Sequence, residues 1–82
     1  MPSHQTILPA EWVIRQFGGV RKTAAAIGRD PGSISEWRTS KERKGTDGRV
    51  PSKAQGLVLA AAGRLGLDIT AADLVQGRRV RI

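Results

Sequence analysis

The stretch from Val20 to Thr39, VRKTAAAIGRDPGSISEWRT, is divided by Gly28 and by Asp30-Pro31, and that division restricts the fold more than any other feature of the chain. Glycine accepts the left-handed backbone of a helix end, which costs a residue with a Cβ ~1–2 kcal/mol. Proline suits the first helical position, where no N–H is needed, and it pushes the preceding residue into the extended geometry of an N-cap. Asp30 therefore reads as a cap rather than as a catalytic carboxylate. One helix is expected over Val20 to Ile27 and a second over Pro31 to Ser40, joined by a tight turn. Ala24, Ala25 and Ile27 form the inner face of the first. At about 100° per residue, Ile34 and Trp37 mark the buried side of the second. That leaves Gly32, Ser35, Glu36 and Thr39 outward at i, i+3, i+4 and i+7, with Ser33 and Arg38 beside them.

The rest of the chain reads as support for this pair. Residues 1–8 are polar and without periodicity, and are expected to be a flexible leader. A first helix starts at Pro9-Ala10-Glu11, packs Trp12, Val13 and Phe17 inward, and stops at Gly18-Gly19. Ser40 to Val50, SKERKGTDGRV, is a long basic connection of turn-forming residues. A fourth helix begins at Pro51 or Ser52, with capping-box spacing from Ser52 to Gln55. Its apolar stripe of Ala54, Leu57, Val58, Ala61 and Leu65 is expected to pack on the first and third helices. Thr70 and Asp73 cap a short fifth helix carrying Leu74 and Val75, which ends at Gly77. Residues 78–82 form a basic tail with three open roles: following a DNA backbone, adding a strand to a partner, or none. The domain proper is thus 9–77, with the two-helix motif at 20–39.

Eighty-two residues make one domain with a modest core. Aromatics are only 4% of the chain, and a core of Ala, Val, Leu and Ile suits helices better than sheets. The fold class expected is all-α. There is no cysteine, and the single histidine is His4, so no disulfide framework or thiolate metal site is available. No apolar run is long enough to cross a bilayer and no signal-peptide pattern opens the chain, which makes the cytoplasm the expected compartment. No paired carboxylates, Cys/His pair, metal-ligand cluster or phosphate-binding glycine loop is present, so neither an enzyme nor a cofactor is expected.

Charge is the informative bulk property. The net charge is +7. It is concentrated at +5 over residues 20–53 and +3 over 78–82, which suggests a polyanionic partner. Arg21 and Lys22 sit in the first turn of a helix, where the macrodipole disfavours cations, and a phosphate there would explain them. The phosphate-contact set expected is Arg21, Lys22, Thr23, Arg29, Arg38, Lys41, Arg43, Lys44 and Arg49.

The motif resembles the helix-turn-helix of Cro-type phage repressors and their bacterial relatives: small Ala24, Gly28 at the turn, apolar Ile34, then apolar Trp37. The run GGVRKTAAAIG, the serine-rich helix ending in Trp37, and GRVPSK before a long amphipathic helix look like the Cro/YdaS-like group, over about Pro9 to Leu74. The resemblance implies a compact, five-helix, lambda-repressor-like domain whose helix 31–40 enters the major groove. It also implies a sequence-specific regulator of double-stranded DNA, a repressor working as a homodimer on a pseudo-palindromic operator. The base-reading residues would be Gly32, Ser33, Ser35, Glu36 and Thr39. Two departures stand out. Arg29 replaces a usually apolar residue, and the helix front is Pro31-Gly32, which offers no side-chain donor to a base. The alternative is a protein-interaction module of antitoxin or anti-repressor type on the same fold. Leu74, Val75 and the tail are the dimer surface by elimination.

Overall fold

The computed structural model describes residues 4–81. In chain order it contains β1 (His4–Ile7), α1 (Pro9–Phe17), α2 (Val20–Ile27), α3 (Pro31–Glu36), one 3₁₀ turn at Lys41–Arg43, α4 (Ser52–Leu65), α5 (Ala71–Gln76) and β2 (Arg78–Arg81). The fold is mostly helical, but not all-α. Strands β1 and β2 pair antiparallel, with His4 opposite Arg81, Gln5 opposite Val80, Thr6 opposite Arg79 and Ile7 opposite Arg78. The described part of the polar leader is therefore a strand, and its partner is the basic tail. Met1 to Ser3 of that leader and Ile82 of the tail lie outside the described residues.

Most helix limits follow local chemistry. Pro9 opens α1, and Gly18 closes it in the left-handed region at φ 96°. Asp30 caps α3, its carboxylate accepting from the Gly32 amide at 3.0 Å. Thr70 and Asp73 form a complete capping box at α5, each side chain accepting from the other's amide. The capping box expected at Ser52 does not form. Gln55 instead donates its side-chain amide to Val50 O at 3.1 Å.

The core gathers α1 (Val13, Ile14, Phe17), α2 (Ala24, Ile27), Ile34, Trp37 and α4 (Ala54, Val58, Ala61, Ala62). Four expected positions differ. Ala25 is exposed, and the half-buried Ala26 packs on the core in its place. Leu57 is exposed because the buried arc of α4 is turned towards Ala62. Leu65 lies on the expected arc, yet it is exposed at the last turn, where the body no longer covers it. Leu74 is buried in the core, so of the apolar pair offered as a dimer surface only Val75 is on the outside. Helix α4 packs chiefly on α2 and α5, and it is α5 that lies against α1.

Arg78 ties the ribbon to the helices. Its guanidinium lies 4.4 Å from the centre of the Trp12 ring, and it donates to Asp73 at 2.6 Å and to Asp68 at 2.8 Å. Trp12 in turn donates its indole N–H to Asp68 O at 2.9 Å. Cation, ring and two carboxylates thus join α1, the 66–70 connection, α5 and β2. Hydrogen bonds from Arg78 hold both aspartate carboxyls below the usual carboxylate range, against the opposing pull of burial. Among the described residues no helix is long and apolar enough to cross a membrane.

Candidate nucleic-acid interface

The two-helix pair forms as the sequence predicts up to the middle of the second helix. Gly28 takes φ 70° and donates its N–H to Ala24 O, which also accepts from Arg29 N at 2.9 Å, so two amides close the end of α2 on one carbonyl. Ile34 is fully buried and Trp37 nearly so. With these two anchored, Gly32, Ser33, Ser35 and Glu36 all face solvent.

Beyond Glu36 the helix is not α. Trp37, Arg38 and Thr39 donate to Ile34, Ser35 and Glu36, three residues back each time. This is 3₁₀ bonding, at three residues per turn. Three residues so wound advance roughly 60° further than in an α-helix. Thr39 therefore comes to lie over Glu36, at the far end of the Gly32–Ser35–Glu36 stripe, and it is half-buried with its hydroxyl donating to Ser35 O. Of the five expected base readers, Thr39 is the only one not fully exposed.

The basic connection explains the change. Thr46 N donates to Glu36 O, Gly48 N to Trp37 O and Asp47 N to Thr39 O, at 3.1, 2.6 and 2.9 Å. The Asp47 carboxylate accepts from Lys41 N at 2.9 Å, and Ala10 N donates to Gly48 O. The carbonyls at the end of α3 are thus satisfied by the returning chain rather than by further helix. The segment is an ordered clamp that holds Lys41, Arg43 and Lys44 at the end of α3. Lys44 takes φ 65°, a left-handed backbone that is uncommon for a lysine.

Arg21, Lys22, Arg29, Lys41, Arg43, Lys44 and Arg49 are all exposed, and among the described residues none has an ion pair. The acids are mostly engaged elsewhere. Glu11 meets Arg15 and Arg38, Asp30 and Asp47 accept from backbone amides, and Asp68 and Asp73 hold Arg78. Only Glu36 and Glu42 remain open to an outside cation or donor. The positive surplus is therefore left unneutralised around α2, α3 and the clamp.

Two phosphate residues differ from expectation. Thr23 is fully buried, its hydroxyl donating to Gly19 O at 2.8 Å inside the first turn of α2, so it is corrected to a structural residue. Arg38 is half-exposed, but its guanidinium lies 3.5 Å from Glu11. That contact was not legible, because 27 residues separate the pair. Arg15, exposed and sharing Glu11, was also missed, although the i,i+4 spacing from Glu11 was open to reading. Both arginines line an open groove of about 490 Å³ whose opposite wall is Gln5 and Thr6 of β1.

Among the described residues no group of three or more His, Cys, Asp or Glu side chains is placed to hold a metal. Comparison of the chain with family models, with curated proteins and with solved structures finds no match.

Proposed function

We propose that the protein is a sequence-specific regulator of double-stranded DNA of the Cro/YdaS-like, lambda-repressor-like kind: a phage- or prophage-type repressor of the bacterial cytoplasm and nucleoid. One observation carries the reading. A short helix with a solvent-facing edge of Gly32, Ser33, Ser35 and Glu36 is flanked by seven exposed cations that the protein's own acids leave unpaired. Small polar side chains let the helix approach a major groove closely, and Glu36 offers an acceptor to a cytosine amino group. The cations supply affinity through phosphates and the release of counterions, and they carry no sequence information themselves. With so few direct readers, discrimination rests on those contacts together with DNA shape and the spacing of two half-sites bound by a homodimer.

Anisotropy titration of a labelled duplex at two salt concentrations tests the reading. Binding should weaken steeply with salt, and absence of binding at low salt would sink it. Arg43→Ala with Lys44→Ala should reduce the slope of log K against log salt by about 1.8, equally for all sequences. Selection from a random duplex pool should return a site of two halves ~34 Å apart. A protein-interaction module is the second reading. It is favoured by Leu57, Leu65 and Val75, which stand 41%, 54% and 72% exposed.

A further inference from the structure

The terminal ribbon has two unlike faces. Paired residues of antiparallel strands share a face, and faces alternate along each strand. Ile7 is buried, Val80 is half-buried, and Arg78, opposite Ile7, is held by Trp12, Asp68 and Asp73. That face belongs to the body. Thr6 and Arg79, a cross-strand pair, are both exposed, as is His4. The register puts Arg81 opposite His4, two positions along from Arg79. Neither strand contains an acid, and Arg79 has no ion pair among the described residues.

The ribbon is also well placed. Residues Gln5, Thr6, Ile7 and Leu8 form one wall of the open groove, and Arg38, Ser40, Asp47 and Gly48, from the end of α3 and the basic clamp, form another. Arg78 spends its own charge on two aspartates, and by doing so it fixes β2 to α1, α5 and the 66–70 connection, with β1 on the groove side. A cationic, acid-free two-stranded ribbon anchored next to a helix proposed to enter a groove is suited to the neighbouring phosphates of the same duplex.

We propose that the ribbon is a second DNA-contacting element, in which Arg79 meets the phosphate backbone flanking the α3 site and Arg78 acts as a positioning residue. This rests on the DNA-binding reading above. It assigns the tail the first of its three open roles, in a paired and anchored form.

The test is salt-dependent anisotropy on the full chain with a labelled duplex of random sequence. Arg79→Ala should lower the slope by about 0.9 and the affinity at 0.1 M salt by roughly 8-fold. Arg79→Lys should restore most of both. Circular dichroism checks that the alanine variant is folded. If it is not, Arg79→Gln replaces it, with an expected slope change of about 0.9. Steep salt dependence in the parent protein with unchanged slope in the folded variant would put the ribbon away from DNA and overturn the inference, leaving the DNA reading intact. Failure of the parent protein to bind at low salt would overturn both.

Discussion

Lys44 holds a backbone conformation that costs a side chain with a Cβ ~1–2 kcal/mol, and its ammonium has no partner among the described residues to offset that cost. Asp47, at φ 52°, at least uses its carboxylate on Lys41 N. Strain without local return suits a residue kept for an external contact. Lys44→Gly should therefore stabilise the protein by up to about 1 kcal/mol in urea unfolding, while lowering the salt slope of DNA binding by about 0.9. A gain in stability with no change of slope would separate the strain from binding. Asp73 is nearly buried, and its carboxyl is held below its usual value of 3.8 chiefly by hydrogen bonds from Arg78. The native carboxyl then binds a proton less readily than the unfolded one. The stability it supplies is complete above the ordinary carboxylate range and is lost as pH falls through the lower native value. Asp73→Asn should cost about 2 kcal/mol at pH 7, and the gap to the parent protein should narrow by pH 3, as read from urea midpoints at the two pH values.

At the scale of elements, the limits legible in the sequence are those written by a residue's own backbone chemistry. Gly18, Gly28 and Gly66 end helices in left-handed geometry, and Pro9, Asp30-Pro31 and the Thr70–Asp73 pair begin them. The end of α3 has no such mark. Trp37 to Ser40 continues a plausible helix, yet the α-helix stops at Glu36 because amides of Thr46, Asp47 and Gly48 take the carbonyls of Glu36, Thr39 and Trp37. Gly45 makes that return possible. A Cβ there would collide with the Thr39 carbonyl, so the glycine is required for close approach. Gly45→Ala should destabilise the protein by about 2 kcal/mol, the scale of an overpacked contact. It should also weaken the proposed DNA binding, because the clamp carries Lys41, Arg43 and Lys44. Urea unfolding and anisotropy on the same preparation check both, and an unchanged urea midpoint would mean the loop yields freely.

Across the whole molecule, strand pairing joins the two ends of the described chain. Ile7 is buried, and Gly77, at φ 79°, turns the chain so closely past Ile7 O that a Cβ would not fit. Arg78 then binds the closed ribbon to Trp12 and α5. Removing residues 1–7 should consequently cost at least about 2 kcal/mol, the burial of Ile7 alone, and leave β2 without its partner. An unchanged urea midpoint in the truncated protein would show the ribbon to be ornamental. The unpaired cations, in contrast, were readable in part from composition: the surplus over 20–53 is in the sequence, whereas its lack of internal neutralisation depends on where each acid ends up.

The chain's local chemistry was enough to place five helices, the turn at Gly28, the cap at Asp30 and the buried pair Ile34 and Trp37. Each of these depends on neighbours within about one helical turn, and such preferences act before any tertiary contact exists. Three features needed distant partners. The ribbon pairs residues more than seventy positions apart, Arg78 finds its ring and carboxylates only once α1, α5 and β2 meet, and α3 is cut short by amides that arrive from a later segment. Hydrogen bonds and ion pairs of this kind depend on distance and direction in space, to which spacing along the chain is no guide. For the same reason the motif between Val20 and Thr39 supplies the exposed polar edge of α3, while the clamp and the ribbon are products of the folded arrangement.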